Sequence, residues 1–255
     1  MKAIIIAAGP SKRLRPLTED VPKCMLEVNG KPIIENTVGL FRQNGINDIS
    51  IIVGYKKEKI KVDKAAYYEN TDYLNNNILF SLMFAREKIE EAVKTKEDII
   101  ITYSDIWYDN DVLKALLASK EDISAVVDTH WHEYYNGRTD HPPEEAENVI
   151  MDAAGVFLKI GKHIITSHVP NTEEGEFLGL WKFTSKGAET FLNNFDAVSA
   201  ALKKTDPFQK AIEFQKAYIT DMFQEIIDRG GKIRGVLIKG GWKEFDTIQD
   251  YMRVK

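Results

Sequence analysis

The sequence predicts an α/β fold, a single domain built on a mixed, mostly parallel sheet with helices on both faces. Three observations carry that prediction. Short apolar runs such as Ala3 to Ala8 and Ile49 to Val53 have the length and content of buried parallel strands. Segments of helical spacing alternate with them, and the first strand, helix and second strand succeed one another at the length of a right-handed βαβ unit. At 255 residues, 44% hydrophobic and 29% charged, the chain can bury a substantial core.

The elements follow in order. The strand Ala3 to Ala8 stops at Gly9 and Pro10, where the chain must turn. Lys31 to Gly45 reads as a helix, with Ile34, Val38 and Phe41 on one face and Asn44 and Gly45 as its stop. After the strand Ile49 to Val53, a helix is expected over Phe80 to Val93 and a buried strand over Asp98 to Tyr103. Asp111 to Ala118 then reads as a helix and Ile123 to Thr129 as a strand. Asn148 to Met151 and Val156 to Ile160 flank a turn at Ala153 to Gly155, the spacing of an antiparallel hairpin. Phe177 to Phe183 reads as a strand, with helices near Ser185 to Asn194 and Asp206 to Lys216. Lys232 to Ile238 reads as the last strand and Thr247 to Val254 as a closing helix. His130 to Glu147 is the longest loop, of the kind that serves as a lid or binding loop or as a solvated connection.

Charge and cysteine content narrow the function. A net charge of −5 argues against general nucleic-acid binding, which calls for a basic surface. No run is long enough to span a membrane. Cys24 is the only cysteine, so no internal disulfide can form, and the first residues read as a core strand rather than a cleavable signal. The chain is expected to be cytoplasmic. Past the first strand, a small-residue turn leads to Lys12, Arg13, Arg15 and Lys23. Backbone N–H groups and cations thus gather at a strand's carboxyl end, where open α/β sheets bind ligands, and their sign suits phosphates.

The stretch AAGPSKRLRPLTEDVPK resembles the signature AAGxGxRLxPLTxxxPK of nucleotidyltransferases, which move a nucleoside monophosphate from a triphosphate onto a small phosphorylated acceptor. The match covers Ala7, Ala8, Gly9, Arg13, Leu14, Pro16, Leu17, Thr18, Pro22 and Lys23. The resemblance implies a Rossmann-like domain of the nucleotide-diphospho-sugar transferase type and a Mg²⁺ cofactor. Ser11 departs from the pattern, standing where the family usually has its second glycine, so a positive φ there would strain the loop.

The same resemblance assigns residues. Arg13 and Lys23 would be catalytic cations, and Ala7, Ala8, Gly9 and Ser11 would line the nucleotide. Asp105, after the strand IIITYS, and Asp246, in GGWKEFDTIQDY, resemble the metal-binding aspartates, although each also reads as a helix N-cap or loop acid. Asn77 and Ser81, in YLNNNILFSLMFA, resemble the stretch beside the base in relatives that use CTP, where an N-cap explains the asparagines as well. Lys162 and Glu176 are the acceptor-binding candidates, a solvated lysine being the plain alternative for the first.

The motifs lean to the cytidylyltransferase branch of the phosphocholine and 2-aminoethylphosphonate types, the latter tied to phosphonate metabolism. Such acceptors carry a cation, for which Trp107, Trp131 or Trp181 would offer a face, core packing being the plainer reading of Trp181. AYITDMF keeps a sugar 1-phosphate acceptor open, and Ser11 keeps open a nucleotide-sensing domain without turnover. The expected partners are a nucleoside triphosphate, CTP first, and a small phosphate or phosphonate; a homodimer stays open. His130, His132 and His141 can also be drawn as a zinc site, although clustered loop histidines usually are not one.

Overall fold

The computed structural model describes residues 1–165 and 169–254. Its main sheet has nine strands. In chain order they are β1 (Lys2–Ala7), β2 (Asp48–Val53), β3 (Ala65–Glu69), β4 (Ile99–Tyr103), β5 (Ile123–Asp128), β6 (Asn148–Asp152), β7 (Phe157–Gly161), β8 (Thr172–Phe183) and β9 (Arg234–Ile238). The helices are α1 (Ile33–Gln43), α2 (Ile78–Met83), α3 (Arg86–Thr95), α4 (Asn110–Ala118), α5 (Trp131–Tyr134), α6 (Ser185–Ala201), α7 (Ile219–Asp228) and α8 (Ile248–Met252).

β1 lies at the centre, parallel to β2 on one side and β4 on the other, and β2 pairs in parallel with β3. Its alternation decides which core each residue enters. Ile4, Ile6 and Ala8 join α2, α3, α6 and α7 on one face, while Ala3, Ile5 and Ala7 join α1 and α4 on the other. Helices therefore cover both faces, as the sequence predicts.

β8 makes the second half antiparallel. It pairs with β6 early, with β4 late and with β5 along its other edge, and β5 also pairs in parallel with β9. The register of β8 against β5 shifts between Phe177 and Trp181, a bulge in which Gly179 takes φ +75°. A Cβ on Gly179 would lie 2.1 Å from the Tyr103 ring, so the glycine lets that ring lie flat against the strand at the floor of the cleft described below.

Several boundaries differ from expectation. Lys31–Pro32 pairs with Glu27–Val28 as a small ribbon, so α1 starts only at Ile33. The helix expected over Phe80 to Val93 is two, α2 and α3, parted at Phe84 and Ala85. Asp206 to Lys216 is not a helix apart from a 3₁₀ turn at Phe214–Lys216; Phe208 and Ala211 bridge each other instead, and the helix is α7, one segment later. β3 escaped notice because its residues AAYYE are mostly half-buried or exposed and show no apolar alternation. β8 starts at Thr172, five residues before the expected Phe177, and α6 runs on to Ala201. β9 is not the last strand, since Trp242–Glu244 pairs with Ile106–Tyr108. No described helix is long and apolar enough to cross a membrane.

Candidate active site

A cleft of about 430 Å³ opens at the carboxyl ends of β1 and β4, the edge that binds ligands in open parallel sheets. One wall is the loop Ala7 to Arg13. Ser11 in that loop has φ 45° and ψ 51°, so the residue in the usual glycine position does adopt the left-handed region. Its carbonyl accepts from the Leu14 N–H at 3.2 Å and the Thr18 hydroxyl at 2.9 Å, which hold the loop in a tight 3₁₀ turn around buried Leu14. Arg13 stays about half exposed.

Lys23 organises the floor. Its ammonium donates to Asp105 Oδ2 at 2.7 Å and to Asp246 Oδ1 at 2.8 Å. Burial opposes that charge, yet Asp105 and Asp246 together hold the Lys23 pKa above its ordinary value. Lys23 is therefore a fixed cation and not a base. Asp246 also touches Arg13 through Oδ2, and the same oxygen lies 3.0 Å from His141 Nδ1. Burial works against the Asp246 charge, but Lys23, His141 and Arg13 hold its carboxyl well below the usual carboxylate range. Asp105 keeps its other oxygen, Oδ1, buried and without a partner.

The backbone of the last segment is fixed by Asp250, whose Oδ2 accepts from the N–H groups of Asp246 and Thr247. Asp250 is in turn held by the buried Arg138, at 2.7 Å from Nε, and Arg138 also reaches Glu244 Oε2 at 2.9 Å. The long loop after β5 is thereby tied to the C-terminal segment.

The far end of the cleft is acidic and aromatic. Glu176 is buried, accepts from the Tyr135 hydroxyl at 2.6 Å through Oε1, and leaves Oε2 unpartnered. Burial, reinforced by Glu244, pushes its carboxyl well above the ordinary value. Burial also pushes Glu147 up to about 8, and Tyr103 donates to it at 3.4 Å. Lys162 donates to Glu145 at 2.9 Å and lies 5.5 Å above the Tyr218 ring. Burial opposes its charge, but Glu145 and other neighbours raise its pKa.

On the wall between these ends, Asn77 caps α2: its Oδ1 accepts from the Ile78 N–H at 2.9 Å and its Nδ2 donates to the Lys216 carbonyl. Ser81 accepts from Asn70, a fully buried amide that also pairs with Asn76. All twelve residues assigned from the sequence line this one cleft, together with Tyr103, Glu147, Phe177, Tyr218, Trp242 and Glu244.

The model of the nucleotidyl transferase family matches residues 2–134, the half of the chain that contains the loop, Lys23 and Asp105. The chain belongs to that family. Over 255 residues, 98% of this chain and 97% of the relative, it is 31% identical to the CTP:phosphoglutamine cytidylyltransferase of Campylobacter jejuni. It is 45% identical to the choline-phosphate cytidylyltransferase of Streptococcus pneumoniae over 96 residues, 36% of this chain and 42% of that one. A solved CTP:phosphocholine cytidylyltransferase from the same organism superposes with a TM-score of 0.69 at 24% identity, covering 99% of this chain and 96% of that one. This last likeness speaks for the fold alone.

Two expectations for this nucleotidyltransferase fail. His130, His132 and His141 do not assemble: His132 stacks on Trp131, His130 lies beside Glu133, and only His141 turns inward, to Glu244 and Asp246. None of Trp107, Trp131 and Trp181 lines the cleft, although Trp181 is wholly buried in the core as its plainer reading had it; the aromatic wall is Tyr73, Tyr103, Phe177, Tyr218 and Trp242. Sequence reasoning missed Asn70, Tyr103, Arg138, Glu147 and Glu244. For Glu244 a signal existed, two residues before Asp246 and on the same face of an extended segment. For Tyr103, Arg138 and Glu147 there was none, because their roles arise from contacts distant in sequence, and the Asn70 side chain bonds only to nearby Asp72, Asn76 and Ser81, among asparagines that offered no reason to single it out.

Proposed function

We propose that residues 1–255 work as one nucleotidyltransferase domain that moves CMP from CTP onto a phosphate or phosphonate oxygen of a small acceptor, with Mg²⁺ and release of pyrophosphate. The observation that carries this reading is the meeting of Asp105 and Asp246 at Lys23 Nζ, beneath the loop Ala7 to Arg13. Relatives that use CTP support the choice of nucleotide, one of them along nearly the whole chain.

Asp105 and Asp246 fit a hard divalent cation: both are carboxylates, they converge on one point, and Asp105 Oδ1 is an unspent acceptor. They would hold Mg²⁺, which when bound draws charge from the phosphate oxygens. The rest falls to the chain. Arg13 leaves Asp246 to grip the outer phosphates, and Lys23, kept protonated, donates to the α phosphate, where charge grows. The small residues Ala7, Ala8 and Gly9 let the nucleotide lie close to the backbone, with Ser11 at the turn and Asn77 and Ser81 toward the base. An acceptor oxygen forms its bond to the α phosphorus as the bond to the β phosphate's bridging oxygen breaks, and pyrophosphate carries away that electron pair. No covalent enzyme intermediate is needed.

Lys162 steers the acceptor's phosphate, while the rings of Tyr103 and Tyr218 suit an ammonium at its other end, whose charge would in turn draw Glu176 and Glu147 toward their ionised forms. The test is pyrophosphate release with CTP, UTP, ATP and dTTP against phosphocholine, 2-aminoethylphosphonate, phosphorylated glutamine and glucose 1-phosphate. CTP should exceed UTP by roughly one to two orders of magnitude in kcat/KM, because a mispaired buried group costs about 1–3 kcal/mol. Fastest turnover with UTP and glucose 1-phosphate would move the chain to sugar-nucleotide synthesis. Nucleotide binding without release from any pair would make it a sensor.

A further inference from the structure

Asn70 follows β3 directly and is 1% exposed. Its backbone N–H donates to the Val53 carbonyl at 2.8 Å, which pins it at the carboxyl ends of β2 and β3. Its side-chain oxygen accepts from the Asp72 N–H at 3.0 Å and from the Asn76 amide at 3.0 Å. Its amide nitrogen donates to Asn76 Oδ1 at 2.9 Å and to Ser81 Oγ at 2.9 Å. The orientation of this amide is forced. A backbone N–H can only donate, so the atom facing Asp72 must be the oxygen and the atom facing Ser81 the nitrogen. Both amide hydrogens and both oxygen lone pairs are thereby spent within the protein, and none is left for a ligand.

The consequence falls on Ser81. Its hydroxyl oxygen receives a hydrogen bond from Asn70, so its own proton must point elsewhere, and no described residue accepts it. The Ser81 N–H is already committed to the Asn77 carbonyl at 2.8 Å. Ser81 is 5% exposed and lines the cleft. A buried hydroxyl with its oxygen engaged and its proton unplaced offers a donor to whatever occupies the cleft.

We propose that Asn70 is a positioning residue for base selection: it fixes the Ser81 hydroxyl as a donor, which pairs with the ring nitrogen N3 of cytosine and is opposed by the N3–H of uracil. The two pyrimidines differ at that atom as well as at position four, since N3 is a bare acceptor in one and carries a hydrogen in the other. A hydroxyl free to rotate would serve either base, and one held by the Asn70 amide serves cytosine better. The inference rests on the proposed function for the nucleotide's place in the cleft, and Asn70 acts only through Ser81.

The experiment is calorimetric titration of the full chain at about pH 8 with CTP, UTP and 3-deaza-CTP, in which a C–H replaces N3. Each is added with Mg²⁺ and without an acceptor, so nothing depends on turnover. The wild type should bind CTP at least about tenfold more tightly than either of the others. Ser81→Ala should lose the preference over 3-deaza-CTP and about tenfold of the preference over UTP. Asn70→Asp sets an acceptor against Ser81, so the hydroxyl turns its proton inward and its oxygen to the cleft. Its preference for CTP over UTP should fall at least about tenfold. The double variant should match Ser81→Ala, because without the hydroxyl Asn70 has nothing to orient. Should Asn70→Asp not fold, Asn70→Ala carries the same test with a smaller loss, at least about threefold, since the released hydroxyl can turn either way. A wild type that binds neither CTP nor UTP, or both alike, would overturn this proposal together with the choice of CTP. A preference for CTP over UTP that survives intact in Ser81→Ala or in the folded Asn70 variant would overturn this proposal alone. So would equal binding of CTP and 3-deaza-CTP by the wild type, or an effect of Asn70→Asp that persists without the Ser81 hydroxyl.

Discussion

At the scale of single residues, Ser11 and Glu147 carry predictions of opposite kinds. Ser11 holds a left-handed backbone that costs a non-glycine residue about 1 kcal/mol, and glycine would remove that strain. Glycine also adds roughly 0.5–1 kcal/mol of unfolded-state entropy, so Ser11→Gly should move the melting midpoint by less than about 2 °C. Ser11→Val, branched at Cβ, should lower both the midpoint and triphosphate affinity. A glycine variant that no longer binds triphosphate would instead assign a contact to the serine hydroxyl. Glu147 contributes a pH dependence to stability. Burial raises its folded pKa from 4.5 to about 8, so folding favours the protonated form. The stability it contributes is fully present below about pH 4.5 and is lost as pH rises through about 8. Glu147→Gln should therefore melt above wild type at about pH 9 and level with it at about pH 4, as scanning calorimetry would register. An equal offset at both pH values would contradict the assignment. For the metal pair, Asp105→Asn or Asp246→Asn should cut turnover by orders of magnitude while circular dichroism stays native. Near wild-type rates at limiting Mg²⁺ would remove that residue from the ligand set.

At the scale of elements, the cap of α2 separates structural from recognition roles. Asn77 bonds to the first helical N–H and to the Lys216 carbonyl, so Asn77→Ala should cost about 1 kcal/mol in urea denaturation without nucleotide. Asn77→Ser keeps a capping oxygen and should recover most of it. A CTP-to-UTP ratio about tenfold lower in the stable serine variant would give the amide a part in base selection as well. The parallel strands were legible because their apolar runs are long and fully buried; β1, β2, β4 and β5 lie within a residue or so of their expected bounds. β3 was not, since an exposed edge strand needs no apolar alternation. Asp206 to Lys216 misled because its apolar residues suit helical spacing. The chain there instead folds back, with the Phe214 N–H donating to the Asp206 carbonyl and Asp221 accepting from Lys210 N–H.

At the scale of the molecule, the site depends on joining the first thirty residues to the last fifteen, and the joint is legible only in part. Lys23, Asp105 and Asp246 could be paired through a motif, because each carries its own local signature. Arg138 could not, for a lone arginine in a long loop looks solvated. In the folded chain its side chain is fully buried, 4.7 Å from each of the Tyr134 and Tyr135 ring centroids, and bonded to Glu244 and Asp250. Removing it leaves two acids facing each other near Asp246 with no compensating charge. Arg138→Met should thus cost about 3–5 kcal/mol, the range for breaking a buried pair on one side only. Arg138→Lys should recover little, since one ammonium cannot match the geometry of the guanidinium fork. The triple variant Arg138→Met, Glu244→Gln, Asp250→Asn should regain much of the lost stability, because no buried acid is then left unpaired, yet it should stay inactive with Asp246 no longer held. Denaturant midpoints paired with initial rates separate the two effects. A triple variant as unstable as Arg138→Met alone would show that the arginine stabilises through its stacking on the tyrosines and not through its charge.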